Sequence, residues 1–240
     1  MIFFDKRQYK LHTKEAKKRF PGPNYFKVLQ WVHEIVRPCL YAEIGIYRGQ
    51  SLELVPAATK AIGIDPAPQC KPPRNATIFE MTSDDFFAQV NKGVIPGINN
   101  ISLGFIDGLH TYDQALRDFV NMEKLSDPNG VILLHDCIPL DELTAANPRI
   151  SDFYTGDIWK TMLILMRKRP DLRIGIIPAW PSGLGIVTKL NPGYMALQEE
   201  LPEIIEEYRS FGYDKYDSIL NELPPEIPVE AAAVRQFLQA

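Results

Sequence analysis

Between residues 40 and 136, short apolar runs alternate with longer segments whose apolar side chains recur at helical spacing. This alternation is typical of strands joined by crossover helices, which build a parallel sheet. The runs are rich in Ile, Leu and Val, as expected of strands covered on both faces. Two later runs are separated by only a few residues, so we expect them to pair antiparallel. The predicted strands are 40–46, 61–65, 76–81, 101–107, 130–136, 172–179 and 183–189.

The segments between these runs carry the helical pattern. The clearest helix is predicted over 111–125, where Thr111 and Asp113 offer capping groups at its start. The mixed-polarity stretch 137–157 is long for a connection in a compact domain, which is typical of a functional loop such as a lid. The helices are predicted over 25–36, 51–60, 84–90, 111–125 and 158–168.

The pattern as a whole indicates an α/β fold: a Rossmann-like, doubly wound and mostly parallel sheet with an antiparallel last strand. We expect a basic amino-terminal arm and helix covering the site over 1–38, the main domain over 39–190, and an acidic helical tail over 191–240. The apolar face of 201–208 could also pack against a second subunit of a homo-oligomer.

Composition narrows the class of protein. The chain has 240 residues, 45% of them hydrophobic, and a net charge of -4, which indicates a globular domain and disfavours nucleic acid as a partner. The three cysteines have no metal or redox spacing, and no targeting or membrane-spanning segment is evident, so we expect a cytoplasmic protein. The charge is uneven: residues 1–20 hold seven Lys/Arg against two acids, whereas 199–240 hold ten acids against three Lys/Arg.

The turn after the first strand is the first candidate for chemistry. Gly45 and Gly49 would let the backbone approach a nucleotide-like ligand, with Ser51 just beyond them. Tyr47 stands where the dinucleotide fingerprint needs a second glycine. Glu43 would repel a phosphate but attract an amino group. A phosphate-free ligand that is cationic at one end fits this turn best.

The ends of the next two strands indicate which further groups this ligand carries. Asp65 follows the second strand, where a carboxylate can accept hydrogen bonds from ribose hydroxyls. Ser83 and Asp84 follow the third, where they can bind an exocyclic amine such as that of adenine. Each feature also has an ordinary explanation as a turn or a helix cap. Together and in this order, they point to S-adenosylmethionine.

At this point the chain resembles a known family. The motifs E-I-G-x-x-x-G-x-S at 43–51 and T-S-D-D at 82–85 look like the cofactor site of class I S-adenosylmethionine-dependent methyltransferases. F-I-D-G-L-H-T-Y-D at 105–113 and L-L-H-D at 133–136 are similar to the small-molecule O-methyltransferase branch, and closest to the group related to macrocin-type sugar O-methyltransferases. The resemblance covers about residues 40–190.

This resemblance implies a seven-stranded sheet and assigns roles at the cofactor. Glu43 and Gly45 would line the methionine end, and Asp65 would hold the ribose. Ser83 and Asp84 would lie beside the adenine. The implied activity is methyl transfer to a hydroxyl of a small molecule, with a sugar or a glycosylated metabolite among the candidates.

The ends of the fourth and fifth strands supply the second half of the site. His110 is the candidate general base, because its ordinary pKa lies near the working pH. Asp107 and Asp136 would orient it, and Asp107 would also adjoin the cofactor. Alternatively, Asp107 and Asp136 would hold a divalent cation such as Mg²⁺, with His135 as a third group. Metal-dependent relatives place asparagine after the second aspartate, whereas this chain has Cys137.

Two further residues are candidates for substrate contact. Trp159 could stack on a sugar or adenine face, and Lys160 could bind a substrate oxygen, although core packing explains them equally well. The alternatives to a methyltransferase are a nicotinamide-dependent oxidoreductase on the same fold, and a cofactor-binding protein without turnover. Tyr47 and Glu43 disfavour the oxidoreductase.

Overall fold

A computed structural model describes residues 6–240. Its centre is a seven-stranded sheet of order β3-β2-β1-β4-β5-β7-β6. The strands are β1 (Leu40–Ile44), β2 (Lys60–Ile64), β3 (Ala76–Phe79), β4 (Ile101–Ile106), β5 (Ser126–His135), β6 (Arg173–Ile177) and β7 (Leu184–Thr188). The helices are α1 (Lys6–Arg19), α2 (Tyr25–Val36), α3 (Ser83–Asn91), α4 (Tyr112–Leu125), α5 (Trp159–Lys168), α6 (Ala196–Glu199), α7 (Leu201–Arg209) and α8 (Ala231–Gln239), with 3-10 helices at Leu52–Leu54 and Tyr213–Glu222.

All seven predicted strands are confirmed, and so is the Rossmann-like fold. The central strand β1 pairs in parallel with β2 on one side and β4 on the other. The order of the strands therefore reverses between β1 and β4, which is where doubly wound sheets bind ligands. Only β7 runs against its neighbours, since it pairs antiparallel with both β5 and β6.

The core lies on both faces of the sheet. Neighbouring residues of β4 show why the apolar runs are continuous: Ile106 packs into the core beneath α4 and α5, whereas Phe105 packs into the core beneath α2 and α8. Both side chains are buried. Because successive side chains of a strand point to opposite faces, a strand covered on both faces needs apolar residues at every position.

Two local predictions are wrong. Residues 51–60 do not form an α-helix: a short 3-10 helix ends at Leu54, and Val55 is extended because Pro56 follows it. Thr111 makes no side-chain capping bond to α4. Instead, the N–H of Tyr112 donates to the Asp157 carboxylate at 2.9 Å. The cap therefore comes from a segment 45 residues further along the chain. Within residues 6–240, no helix is long and apolar enough to cross a membrane.

Candidate active site

A cavity of about 820 Å³ opens at the carboxyl ends of β1, β2, β4 and β5. Its lining includes the His-Asp cluster, by which we mean Asp107, His110, His135 and Asp136. The part of the lining that comes from residues 44–84 and 114–118 is called here the motif wall, and it comprises Ile44, Gly45, Tyr47, Ile64, Asp65, Pro66, Thr82, Ser83, Asp84, Gln114 and Asp118. The part that comes from other segments is called the second wall, and it comprises Tyr9, Thr13, Arg149, Asp152, Phe153, Tyr154, Trp180, Pro181 and Ser182.

The turn after β1 brings the backbone close to the cluster. Gly45 has a φ of +85°, and a Cβ at this position would lie 2.0 Å from the carbonyl oxygen of Asp107. Only glycine fits both the backbone conformation and the contact. Two residues on, the N–H of Tyr47 donates to the Asp65 carboxylate at 2.8 Å. The turn is thus fixed against two strand ends that both line the cavity.

Glu43 lies behind this turn and not in the cavity lining. Its carboxylate is fully buried and accepts hydrogen bonds from the hydroxyls of Tyr41 and Ser51. Burial raises the pKa of Glu43 to about 8. Ser51 and Gly49 are also absent from the lining; a Cβ on Gly49 would meet the Cys70 side chain. These three residues therefore support the turn from behind.

Asp65 presents a carboxylate at the end of β2. One oxygen accepts the Tyr47 N–H, and the other accepts the N–H of Ala67 at 2.7 Å. These two bonds hold the carboxylate in place at the cavity wall. The position matches the expected ribose site, because a fixed carboxylate retains lone pairs that can accept hydroxyl donors.

Ser83 and Asp84 belong to a network that the sequence motifs did not reveal. The side-chain amide nitrogen of Gln114 lies 3.2 Å from the Ser83 hydroxyl, 3.1 Å from the Asp84 carboxylate and 3.0 Å from the Asp118 carboxylate. Asp118 is 1% exposed, and burial raises its pKa to about 6. Gln114 and Asp118 are four residues apart on α4 and therefore lie on the same face of the helix. The only sign of them in the sequence was this polar pair at helical spacing after a predicted strand.

The His-Asp cluster interleaves two imidazoles with two carboxylates. His110 Nδ1 lies 2.8 Å from Asp136, and His110 Nε2 lies 3.3 Å from Asp107. His135 Nδ1 lies 3.1 Å from Asp107 and 3.4 Å from Asp136. Asp136 also accepts a hydrogen bond from the Ser182 hydroxyl. His110 and Asp136 both have positive φ values, +62° and +61°, as is common for strained residues at functional sites.

The imidazoles and carboxylates of this cluster shift each other's pKa values. Burial alone would lower the pKa of His110, but the negative charges and hydrogen bonds of Asp136 and Asp107 outweigh it and raise that pKa well above its usual value. The same balance raises the pKa of His135 to about 10. Conversely, burial would raise the pKa values of both aspartates, and the two imidazoles lower them. The directions of all four pKa shifts favour charged imidazoles beside charged carboxylates.

One set of atoms in the cluster could hold a metal ion. Asp107, His110 and Asp136 each offer a ligand atom, and these atoms lie within 4.8 Å of one another. Cys137 does not join them: its thiol is fully buried and donates to the Leu134 carbonyl oxygen at 3.3 Å. Two carboxylates and one imidazole suit magnesium less well than manganese or iron, because magnesium prefers oxygen ligands.

Trp159 and Lys160 lie in the core and do not line the cavity. Trp159 is 1% exposed and packs edge-on against the Tyr216 ring. The Lys160 ammonium is 3.1 Å from the Asp157 carboxylate and also donates to the carbonyl oxygen of Tyr208. The substrate contacts expected of this pair are therefore wrong, because α5 turns both side chains toward the carboxy-terminal helices.

The second wall contains the residues that the motifs missed. It is built from α1, the connection over 137–157 and the turn between β6 and β7. Tyr154 lies against His110 with the two rings parallel, at 4° and 5.7 Å between centroids. Gly156 supports this loop: with a φ of +60°, its Cβ position would fall 1.7 Å from the carbonyl oxygen of His110. The sequence signals for this wall were the length of the connection and the basic amino-terminal arm that was expected to cover the site.

Comparison with known proteins agrees with the fold and with the motif wall. Residues 42–137 match a family model described as a methyltransferase domain, which is less than half of the chain. The matched segment begins in β1 and ends just after Asp136, so it spans the motif wall and the His-Asp cluster. A comparison with curated protein sequences finds no match.

Solved structures with a similar fold share little sequence with the chain. An O-methyltransferase from Bacillus cereus in complex with S-adenosylhomocysteine is 14% identical, with a TM-score of 0.52 over 74% of this chain and 90% of that one. The O-methyltransferase TomG from Streptomyces achromogenes, involved in tomaymycin synthesis and solved with S-adenosylmethionine, is 14% identical, with a TM-score of 0.51 over 80% and 92%. The chain therefore has the Rossmann-like fold of methyltransferases, and its residues 42–137 match a methyltransferase domain.

Proposed function

We propose that this protein transfers the methyl group of S-adenosylmethionine to a hydroxyl of a small molecule. The observation that carries the proposal is His110, which two aspartates hold at the centre of a cavity large enough for two ligands. The methyltransferase-domain match over 42–137 and the two structural relatives with bound cofactor or product support the same activity. The similarity to macrocin-type enzymes makes a sugar hydroxyl one candidate acceptor.

The residues of the motif wall fit S-adenosylmethionine. Asp65 would accept the ribose hydroxyls, and Ser83 and Asp84 would lie beside the adenine. The close approach of Gly45 to Asp107 leaves backbone, and no side chain, facing the methionine end. The carboxylates of this wall also favour a ligand with positive charge. When bound, the cofactor supplies an electrophilic methyl group on a sulfonium.

His110 would take the proton of the acceptor hydroxyl. Asp107 and Asp136 contact its two ring nitrogens, which fixes the plane of the imidazole. The same aspartates favour the protonated form of His110, whereas a base must first be neutral. Positive charge beside the cluster lowers the pKa of His110 through like-charge repulsion. Cofactor binding would therefore favour the neutral imidazole that the reaction needs.

A divalent cation is the alternative device. Asp107, His110 and Asp136 would hold it, and it would supply charge that lowers the pKa of a bound hydroxyl. The two mechanisms use His110 differently: the base needs a ring nitrogen that accepts a proton, whereas the metal uses a ring nitrogen as a ligand. They therefore make different predictions for metal removal.

The test measures cofactor binding and turnover separately. Calorimetry with S-adenosylmethionine and with NAD tests the cofactor; tight binding of NAD alone would contradict the proposal in favour of an oxidoreductase. Release of S-adenosylhomocysteine over a panel of hydroxylated sugars and phenols tests turnover; a protein that binds the cofactor but releases no product over the panel is a binding protein.

The His110→Ala variant then tests the base. We expect turnover to fall by about 10²- to 10⁴-fold, with cofactor affinity nearly unchanged, because only proton transfer is lost. Full turnover by the variant would contradict the assignment. Wild-type turnover that EDTA abolishes and Mg²⁺ or Mn²⁺ restores would identify the metal device; turnover that EDTA leaves unchanged would identify the base.

A further inference from the structure

The positive charge of α1 lies beside the second wall of the cavity. Within the described part of the chain, α1 carries seven Lys and Arg residues against the single acid Glu15. Tyr9 and Thr13 of the same helix line the cavity. Lys17 follows one turn later on this face, and its ammonium lies 5.9 Å from the centre of the Trp180 ring. One face of a strongly basic helix therefore borders the cavity.

The helix is held there by specific contacts with the 137–157 connection. His12 Nε2 lies 3.0 Å from the Asp141 carboxylate, and the His12 ring meets the Phe153 ring edge-on at 6.0 Å. At the end of the helix, Arg19 donates to the carbonyl oxygen of Pro139 at 2.8 Å. These bonds join α1 and the connection into one wall. The position of α1 beside the cavity is thus a feature of the fold.

Aromatic rings form the rest of this wall. Tyr154 stacks against His110, with the two ring planes 4° apart, and its ring lines the cavity beside the imidazole. The Arg149 guanidinium lies 5.3 Å from the centre of the Tyr154 ring. Its position is fixed because Nε and Nη2 donate to the carbonyl oxygens of Ser151 and Asp152. Tyr154 and Trp180 each combine a flat apolar surface beside the cavity with a nearby cation.

We propose that the methyl acceptor is a small molecule with a hydroxylated ring and an anionic group, and that the ring lies on Tyr154 while the anion faces Lys17 and Arg149. This inference rests on the proposed function and names the substrate class for the same site. Aromatic side chains bind flat rings, and cations attract a carboxylate or phosphate. The charge of α1 would also concentrate such anions at the entrance. Asp152 is the acid of this wall, and its carboxylate lies 4.0 Å from Arg149.

The experiment uses ligands that differ in one property at a time. Calorimetry on the full chain, with and without saturating S-adenosylhomocysteine, compares 4-hydroxybenzoate with its neutral analogue 4-hydroxybenzamide, and glucuronate with glucose. Lactate serves as a hydroxylated anion without a ring. We expect at least one ring anion to bind about tenfold more tightly than its neutral partner and than lactate. The preferred ring anion then identifies an aromatic or a sugar acceptor.

A pair of adjacent variants tests the role of α1. Lys17→Gln should weaken binding of the preferred ring anion by about two- to fivefold, as expected for one exposed charge. Lys18→Gln removes the same charge about 100° further around the helix, and binding should stay at the wild-type level. High salt should reduce the preference for the anion and leave the neutral ligand unaffected.

Three results would overturn the proposal. They are equal binding of charged and neutral rings, no binding of any ring anion, and equal effects of the two lysine variants. Suppose instead that the full chain binds vesicles that contain phosphatidylserine and binds no ring anion. The charge of α1 would then be assigned to contact with a membrane surface. Failure to bind S-adenosylhomocysteine would contradict the proposed function, whereas the titrations without it still measure the second wall.

Discussion

The two walls of the cavity are built in different ways. The motif wall comes from residues 44–118, where each strand end follows directly from the order of the sheet. The second wall combines α1, the 137–157 connection and the turn between β6 and β7, which are far apart in the sequence. The first wall is set by sheet topology, and the second by the packing of three segments against it. Motifs therefore reveal the wall where we propose that the cofactor binds far better than the wall where we propose that the acceptor binds.

The walls meet at the segment from Asp107 to His110, and a glycine supports it from each side. Gly45 of the motif wall approaches the carbonyl oxygen of Asp107, and Gly156, which follows the second wall, approaches that of His110. Both glycines have positive φ values and no room for a Cβ. The position of the catalytic candidate thus depends on both walls.

Substituting these two glycines gives the largest expected effects. Gly45→Ala and Gly156→Ala should each lower the free energy of unfolding by about 3 kcal/mol, because strain at positive φ adds to a displaced backbone. Gly45→Ala should also abolish cofactor binding, whereas Gly156→Ala should spare much of it and lose turnover. Chemical denaturation and calorimetry measure the two quantities.

Gly93→Ala is the matched control for backbone conformation. Gly93 has a φ of +71° and nothing within 4 Å of its Cβ position, so only the strain of the positive φ remains. We expect a loss of about 1 kcal/mol. If the three variants lose the same stability, the close contacts at Gly45 and Gly156 do not matter and the two walls do not share this segment.

A smaller effect is expected from the buried acid of the motif wall. Burial raises the pKa of Asp118 in the folded protein to about 6. The folded state then binds more protons than the unfolded state between about pH 4 and pH 6, so this residue's ionisation costs stability as pH rises through that range. Asp118→Asn removes the cost. The stability of the variant relative to wild type should therefore be about 2 kcal/mol greater at pH 7 than at pH 4. A difference that does not change with pH would contradict this.

The smallest of these effects is expected from a substitution in the motif wall that tests whether the two walls bind their ligands independently. Asp65→Asn keeps the shape of the side chain but removes the charge that would bind the ribose. We expect cofactor affinity to fall by about tenfold, as for the loss of one charged hydrogen bond. Binding of the preferred ring anion to the second wall should not change. If both affinities fall together, the two walls act as one unit.

The success of the sequence-based predictions also depends on whether a feature is set by the sheet or by packing between distant segments. All seven strands were predictable because apolar runs record burial on both faces. The helix expected over 51–60 failed because Pro56 limits the residue before it, a local signal that the helical spacing obscured. The roles of Trp159 and Lys160 failed for a different reason, since nothing in the sequence shows which way α5 turns its side chains.

The sequence by itself determined the seven strands and the strand-end residues Asp65, Asp107, His110 and Asp136, because apolar runs mark buried strands and strand ends in a doubly wound sheet meet at one edge. Only the tertiary structure decided that Glu43 lies behind the turn, that Gln114 joins Asp118 to Ser83, and that Tyr9 and Thr13 are the α1 residues that line the cavity. These features depend on contacts between distant segments, and periodicity carries no information about such contacts.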